Sequence, residues 1–343
     1  MASFYRLSSS RLLRHSAFVV CTLLLLMACA ERSSGPRFAF VTNGADPFWD
    51  IARSGALAAG RELGVRVDVL VPTSGITEQT QMLEDLMTQG VTGVAVSPIA
   101  PDDQSGLLDR IAAGAHLVTH DSDAPKSKRL CYIGTDNYQA GRDCGKLVKR
   151  AVPQGGKVML FVGRLEQANA RLRRQGVIDE LLGLEADPAR TSPVDEVVSA
   201  NGWTILGTLT DQFDRARAKA GCEDTLTKHE DIACLVGLFA YNAPACLEAL
   251  RASRRVGKVA VVSFDEDRRT LQAIEDGEIF GTIAQDPYGY GSESIRLLAN
   301  LAKGERSGVP SGGVRFLPCR SVTRDNVAAF REELDARLAA GKK

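Results

Sequence analysis

The sequence predicts an α/β protein built from two doubly wound parallel sheets. Three observations predict it. From Arg37 onward, apolar β-rich runs alternate with amphipathic helical stretches. The runs are continuously apolar rather than alternating, which requires helices on both faces of each sheet. The chain is 343 residues long, enough for two domains of ordinary size.

In chain order, the first series of strands falls at 38–42, 65–71, 93–97 and 116–120, with helices at 48–63, 76–89 and 104–113 between them. Residues 129–137 close this series. A helix at 138–152 opens the second, whose strands are 157–162, 204–209, 233–238, 259–264 and 279–284. Its helices are 170–182, 214–228, 243–252, 268–276 and 288–302, and 181–202 reads as a loop-rich insertion around Pro188 and Pro193. After a polar Gly/Ser/Pro stretch at 304–313 come one last strand, 314–322, and a helix, 325–340. This is the β-α alternation of doubly wound folds.

Residues 1–28 stand apart. Arg6, Arg11 and Arg14 precede an apolar run from 17 to 28 that ends in Leu26-Met27-Ala28-Cys29. A basic segment, a short apolar segment and small residues before a cysteine predict an export signal. Leu-x-Ala-Cys resembles the lipobox of bacterial lipoproteins, which implies cleavage before Cys29, lipidation of Cys29 and a position on the periplasmic face of a bacterial membrane. The run is too short to span a bilayer comfortably; an uncleaved anchor helix is the alternative.

Composition narrows the function. With 44% hydrophobic and 24% charged residues, 32 Gly and 13 Pro, the chain is neither collagenous, coiled-coil nor disordered. Formal net charge is zero, which argues against nucleic acid as a partner. Without residues 1–28 it is mildly acidic, with 39 basic and 42 acidic residues. Beyond Cys21 and Cys29 the cysteines are Cys131, Cys144, Cys222, Cys234, Cys246 and Cys319. One or two disulfides and buried free thiols are both open, and no pair of these is nearer in sequence than Cys222 and Cys234. No C-x-x-C, G-x-S-x-G, P-loop or G-x-G-x-x-G is present. Hence no catalytic residue and no cofactor is expected. His116 and His120 on one strand have Cα atoms ~13 Å apart, too far to share a metal ion.

In open parallel sheets, ligands bind beyond the carboxyl ends of the strands. Those ends carry Asn43, Asp46, Phe48 and Trp49; Asp121, Ser122 and Asp123; Asn169 and Arg173; Asn242; Asp265; and Gln285. Carboxylates, amides and a guanidinium complement hydroxyls that both donate and accept, and aromatic rings pack against the C–H faces of a sugar ring. Phe48 and Trp49 supply one wall and Phe213 the other. Competing roles are core packing for Phe48 and Trp49, a solvated basic helix face for Arg173, and helix caps for Asp121, Asn242 and Asp265.

Asp46-Pro47-Phe48-Trp49, Val118-Thr119-His120-Asp121, Ile133-Gly134-Thr135-Asp136-Asn137, Arg173-x-x-Gly176, Phe213-Asp214-Arg215, Ala240-Tyr241-Asn242, Val262-Ser263-Phe264-Asp265 and Thr282-Ile283-Ala284-Gln285 follow one another in an order that carries a family resemblance. Over residues 37–317 the chain resembles the ribose/galactose-type periplasmic sugar-binding proteins of ABC importers. The resemblance implies stacking by Phe48, Trp49 and Phe213 and hydroxyl binding by Asp121, Arg173, Asn242, Asp265 and Gln285. It implies two lobes, 37–135 plus 286–316 and 136–285 plus 317–343, hinged at 136–137, 285–286 and 317–318. It also implies a monosaccharide ligand, ABC permease subunits as partners, a monomer, and no membrane contact beyond the lipid anchor. Ser122, where ribose-type members often carry Arg, and Ser97, where Asn is common, depart from the pattern. The alternative is a ligand sensor that presents a sugar, polyol, nucleoside or furanone to a chemoreceptor or histidine kinase. The related repressors carry a DNA-binding helix-turn-helix at the N-terminus, where this sequence has its export signal.

Overall fold

The computed structural model describes residues 35–342, so the export signal expected at residues 1–28 and the lipidation expected at Cys29 lie outside the described residues. The first sheet contains β1 (Arg37–Val41), β2 (Arg66–Leu70), β3 (Gly93–Val96), β4 (His116–His120), β5 (Cys131–Gly134) and β12 (Val314–Phe316). Its strands run parallel in the order β12-β5-β4-β3-β1-β2. The second contains β6 (Gly156–Val162), β7 (Val198–Ala200), β8 (Trp203–Thr210), β9 (Ile232–Gly237), β10 (Ala260–Phe264), β11 (Gly281–Ala284) and β13 (Arg320–Thr323), in the order β13-β11-β10-β9-β6-β8-β7. Its two outermost strands, β13 and β7, are antiparallel to their neighbours.

Both faces of each sheet are buried, as the continuous apolar runs require. Phe38 and Phe40 of β1 pack on one side with Val118 and Ile133, whereas Ala39 and Val41 pack on the other with Val94 and Val96. In β6, Val158, Leu160 and Val162 face one layer and Met159 and Phe161 the opposite one. The helices covering them are α1 (Pro47–Leu63), α2 (Ile76–Thr88), α3 (Pro101–Gly114), α4 (Asn137–Ala151), α5 (Ala168–Leu182), α6 (Arg215–Lys228), α7 (Asn242–Ala252), α8 (Arg268–Glu275), α9 (Pro287–Ala302) and α10 (Val327–Ala340).

Each lobe has one intimate helix pair, α1 with α9 and α4 with α5. Glycines make the approach possible. A Cβ on Gly55 would lie 2.0 Å from the Tyr288 carbonyl oxygen, and one on Gly291 2.0 Å from that of Ala52. A Cβ on Gly141 would meet the Arg173 carbonyl oxygen at 2.2 Å, and one on Gly176 that of Tyr138 at 2.2 Å. In both pairs one helix follows a passage of the chain between the sheets, and its first turn is capped by an aspartate. Asp136 accepts from the Gln139 N–H and Asp286 from the Gly289 N–H, both at 3.0 Å.

Three expectations change. The segment at 129–137 contains a strand, β5, whose short apolar run is enclosed by charged and polar residues. The insertion at 181–202 contributes β7, a sheet edge held only by β8. The single strand expected at 314–322 breaks at Leu317, and its halves join different sheets, β12 beside β5 and β13 beside β11. The chain therefore passes between sheets three times: after β5, after β11 and between β12 and β13.

Candidate functional site

Strand order reverses between β1 and β3 in the first sheet and between β6 and β9 in the second. A crevice opens at the carboxyl end of such a reversal. The two crevices face one another across a cavity of about 410 Å³. Arg215 Nη2 at the start of α6 reaches Asp46 Oδ2 at the cap of α1, 3.3 Å across the gap, so the lobes are closed on each other.

On the first lobe, the Asp46 carboxylate accepts from the Phe48 N–H (3.1 Å) and Pro47 occupies the first turn, which starts α1 early enough to present Phe48 and Trp49 at the cavity. Phe48 is half-buried and edge-on to Trp49, with centroids 5.0 Å apart. Beneath Trp49 lies His120, its ring stacked on Phe40 at 4.1 Å. Burial lowers the His120 pKa to about 3, so the ring is neutral and serves as an aromatic support. Asp121 follows in the left-handed region, φ 56. Its Oδ2 accepts from the Ser97 hydroxyl (3.1 Å) and the Asn43 amide (3.4 Å). Burial, only partly offset by Arg173, raises its pKa to about 6.

On the second lobe, Asp265 repeats this placement after β10, at φ 68. Its Oδ1 accepts from Gln285 (2.7 Å), and Oδ2 lies 3.9 Å from Arg173 Nη1. Burial raises its pKa as well, against the lowering effect of Arg173 and Gln285. Arg173 is 1% exposed. Nε donates to Asn137 Oδ1 (2.8 Å) and Nη1 to the Leu238 carbonyl (3.1 Å), while Nη2 is buried without a partner among the described residues. Its guanidinium lies 4.8 Å from the Phe264 ring centroid, which fixes its plane. A donor held this rigidly and left unpaired suits a ligand oxygen.

Phe48, Trp49, Asp121, Arg173, Phe213, Asp265 and Gln285 all line the cavity. Asn242 does not. Its Nδ2 donates to Asp211 Oδ2 (2.9 Å) and its Oδ1 accepts from the Phe239 N–H (3.0 Å), so the side chain is used up behind the wall. Asp211 also accepts from the Tyr241 hydroxyl and the Phe213 N–H, which ties the aromatic corner together. Tyr241, Arg164, Gln167 and Gln212 line the cavity in addition. Arg164 stands two residues beyond β6, where the carboxyl-end rule would have found it, and its guanidinium lies 5.4 Å from the Phe213 centroid. Ser97 and Ser122 form the layer beneath Asp121: the Ser122 N–H donates to Ser97 Oγ (3.3 Å), which in turn orients the carboxylate. Asp123 is drawn away by Arg129.

A hydrogen-bonded chain runs from the cavity to all three passages between the sheets. Gln285, bonded to Asp265, accepts from the buried Tyr290 hydroxyl (2.9 Å). Tyr290 contacts the Thr135 hydroxyl at 2.5 Å, and Thr135 contacts Cys319 Sγ at 3.4 Å.

A periplasmic binding protein domain matches residues 38–306. The ribose import binding protein of Escherichia coli (strain K12) is 26% identical over 265 residues, covering 76% of this chain and 82% of the relative. The D-allose-binding periplasmic protein of the same strain is 24% identical, covering 82% and 89%. Among solved structures, an ABC transporter solute-binding protein from Burkholderia graminis C4D1M in complex with D-arabinose superimposes with a TM-score of 0.77 at 28% identity, covering 86% of this chain and 97% of the other. These relatives are binding proteins, and the match spans both sheets and the cleft between them. The chain belongs to the periplasmic binding protein family.

Proposed function

We propose that the chain is the substrate-binding lipoprotein of a bacterial ABC sugar importer and closes its lobes on one monosaccharide. The observation that carries this reading is the pairing of Asp121 and Asp265 across one cavity, with Arg173 Nη2 unpaired beside them and aromatic rings on both sides. Hydroxyls that each donate and accept need such a mixed set, and buried acceptors and donors are costly when the ligand does not meet them. A cavity of about 410 Å³ suits a single sugar ring rather than a polymer. Relatives named for ribose and allose, and the neighbour holding D-arabinose, support an aldopentose or aldohexose.

Lobes of 37–135 plus 286–316 and 136–285 plus 317–343 would open about hinges at 136–137, 285–286 and 317–318, and the closed, loaded form would be recognised by the permease subunits. Lipidation at Cys29 would hold the monomer at the periplasmic face of the membrane. Support for the hinges comes from the Tyr290 chain, which joins Thr135, Gln285 and Cys319 to the acid at the ligand.

A thermal-shift screen of the mature chain against aldopentoses, aldohexoses, polyols and nucleosides tests the reading. A sugar at one hundred times its Kd adds ~2.7 kcal/mol, which raises the melting temperature by roughly 5–10 °C. A shift with polyols or nucleosides alone, or with no carbohydrate at all, would overturn the assignment.

A further inference from the structure

Of the six cysteines among the described residues, only Cys222 and Cys246 have sulfur atoms in contact, at 3.0 Å. That is closer than the ~3.5–4.0 Å at which even carbon atoms pack without a bond. Cys222 lies in α6 and Cys246 in α7, helices that pack side by side, and both residues are fully buried. The other thiols meet oxygen where they meet anything: Cys131 the Tyr132 carbonyl, Cys234 the Leu235 carbonyl and Cys319 the Thr135 hydroxyl. Cys234, the sequence neighbour of Cys222, lies on β9 and makes no contact with it.

Periplasmic binding proteins are exported to a compartment where disulfides form and persist. We propose that the exported protein carries one disulfide, Cys222–Cys246, joining α6 to α7. Two thiols lose two protons and two electrons. The electrons reduce the disulfide of a thiol-oxidase protein of that compartment, which leaves as the dithiol after a mixed-disulfide intermediate. Burial pushes the Cys246 thiol up, so the reactive thiolate is scarce once the helices are docked. The bond therefore forms as the lobe folds and is then shielded from reductant.

The crosslink has a place in the site. α6 begins immediately after Phe213 and its cap Asp214, and α7 immediately after Tyr241. Tying the two helices fixes the stems that carry the aromatic corner of the second lobe. Closing a loop between residues 24 apart also limits the unfolded chain. The inference rests on export, and not on which sugar binds.

The test uses the mature wild-type chain purified from the cell envelope of an expressing bacterium. Denatured in iodoacetamide without reductant, it should gain two fewer alkyl groups than after reduction, and a non-reduced digest should contain one peptide pair linked through Cys222 and Cys246. Cys222→Ser should return an alkylatable thiol at Cys246. Reduction of the unfolded chain, followed by refolding in reductant, should lower the melting temperature of the wild type by several degrees and leave that of Cys222→Ser unchanged. Alkylation of both cysteines before reduction, or a link from either to another cysteine, would overturn the proposal. The mass result stands whether or not any sugar binds, so this inference and the ligand assignment fail separately.

Discussion

Asp121 and Asp265 occupy equivalent places in the two lobes. Each follows a strand, adopts a left-handed backbone and donates its N–H to an isoleucine carbonyl of the next strand, Ile133 or Ile283. Each carbonyl accepts from a side-chain hydroxyl, that of Tyr132 at 2.8 Å or Thr282 at 2.7 Å. The carboxylates differ. Asp121 rests on neutral donors from Ser97 and Asn43, whereas Asp265 has Gln285 and the buried guanidinium of Arg173. One backbone solution thus serves two electrostatic roles: the second lobe carries its own countercharge, and the first leaves an acid whose best partner is a ligand hydroxyl. The aromatic walls differ in the same sense. Trp49 is 6% exposed and built into the core, and Phe213 is 40% exposed and faces the opening.

Removing the countercharge should break the comparison most severely. Arg173→Ala leaves Asp265 without its countercharge and Asn137 and the Leu238 carbonyl without their donor, and is expected to cost ~3–5 kcal/mol. Ser97→Ala, which removes only a neutral donor from Asp121, should cost about 1 kcal/mol. Sugar titration calorimetry and urea unfolding of both variants check this, and equal losses would show that the two acids are supported alike.

The aromatic pair separates stability from binding. Trp49→Ala should lose ~3–5 kcal/mol of folding stability through the cavity it leaves. Phe213→Ala should lose about 1 kcal/mol of stability from its aromatic contacts while still weakening sugar affinity. Similar melting temperatures for the two variants would contradict the assignment of Trp49 to the core.

A third difference between the acids is a pH slope. A sugar hydroxyl that donates to Asp121 stabilises its carboxylate and lowers a pKa held at about 6 in the free protein. Affinity should therefore rise about tenfold from pH 5 to pH 7 and level off above. Asp265, raised in the same direction, reinforces the slope. The unliganded protein behaves oppositely, because a carboxyl whose folded pKa exceeds its unfolded value of about 3.9 loses stability as pH rises from there to about 6. Asp121→Asn should flatten most of the binding slope; a slope of unchanged steepness would remove Asp121 from contact with the ligand.

Much of the site could be read from the sequence because one topological rule applies. Residues just beyond apolar strands of a parallel sheet gather at the crevice, which located Asp121, Asp265 and Gln285 without coordinates. The same rule misplaced Asn242, because a strand end does not reveal that Asp211, from another loop, will claim the amide. Arg164 falls under the same rule, but like Tyr241 it has flanking residues with no pattern that separates a lining side chain from a loop one. The strand at Cys131–Gly134 was missed for a different reason: its apolar run is flanked by Lys126-Ser127-Lys128-Arg129 and Asp136-Asn137, and it becomes a strand because neighbours on both sides pair with it.

By itself the sequence determined the alternation of strands and helices, the apolar layers on both faces of each sheet and the aspartates and aromatics at the strand ends, because burial and chain direction are local in their effects. Only the tertiary structure decided which strands share a sheet, where the last strand breaks between the lobes and which thiols meet. It also decided that Arg173 is a buried cation rather than a solvated one. That outcome depends on Gly141 and Gly176, which allow α4 and α5 to touch backbone to backbone and bring the guanidinium to Asp265, and no property of Arg171-Leu172-Arg173-Arg174 alone announces it.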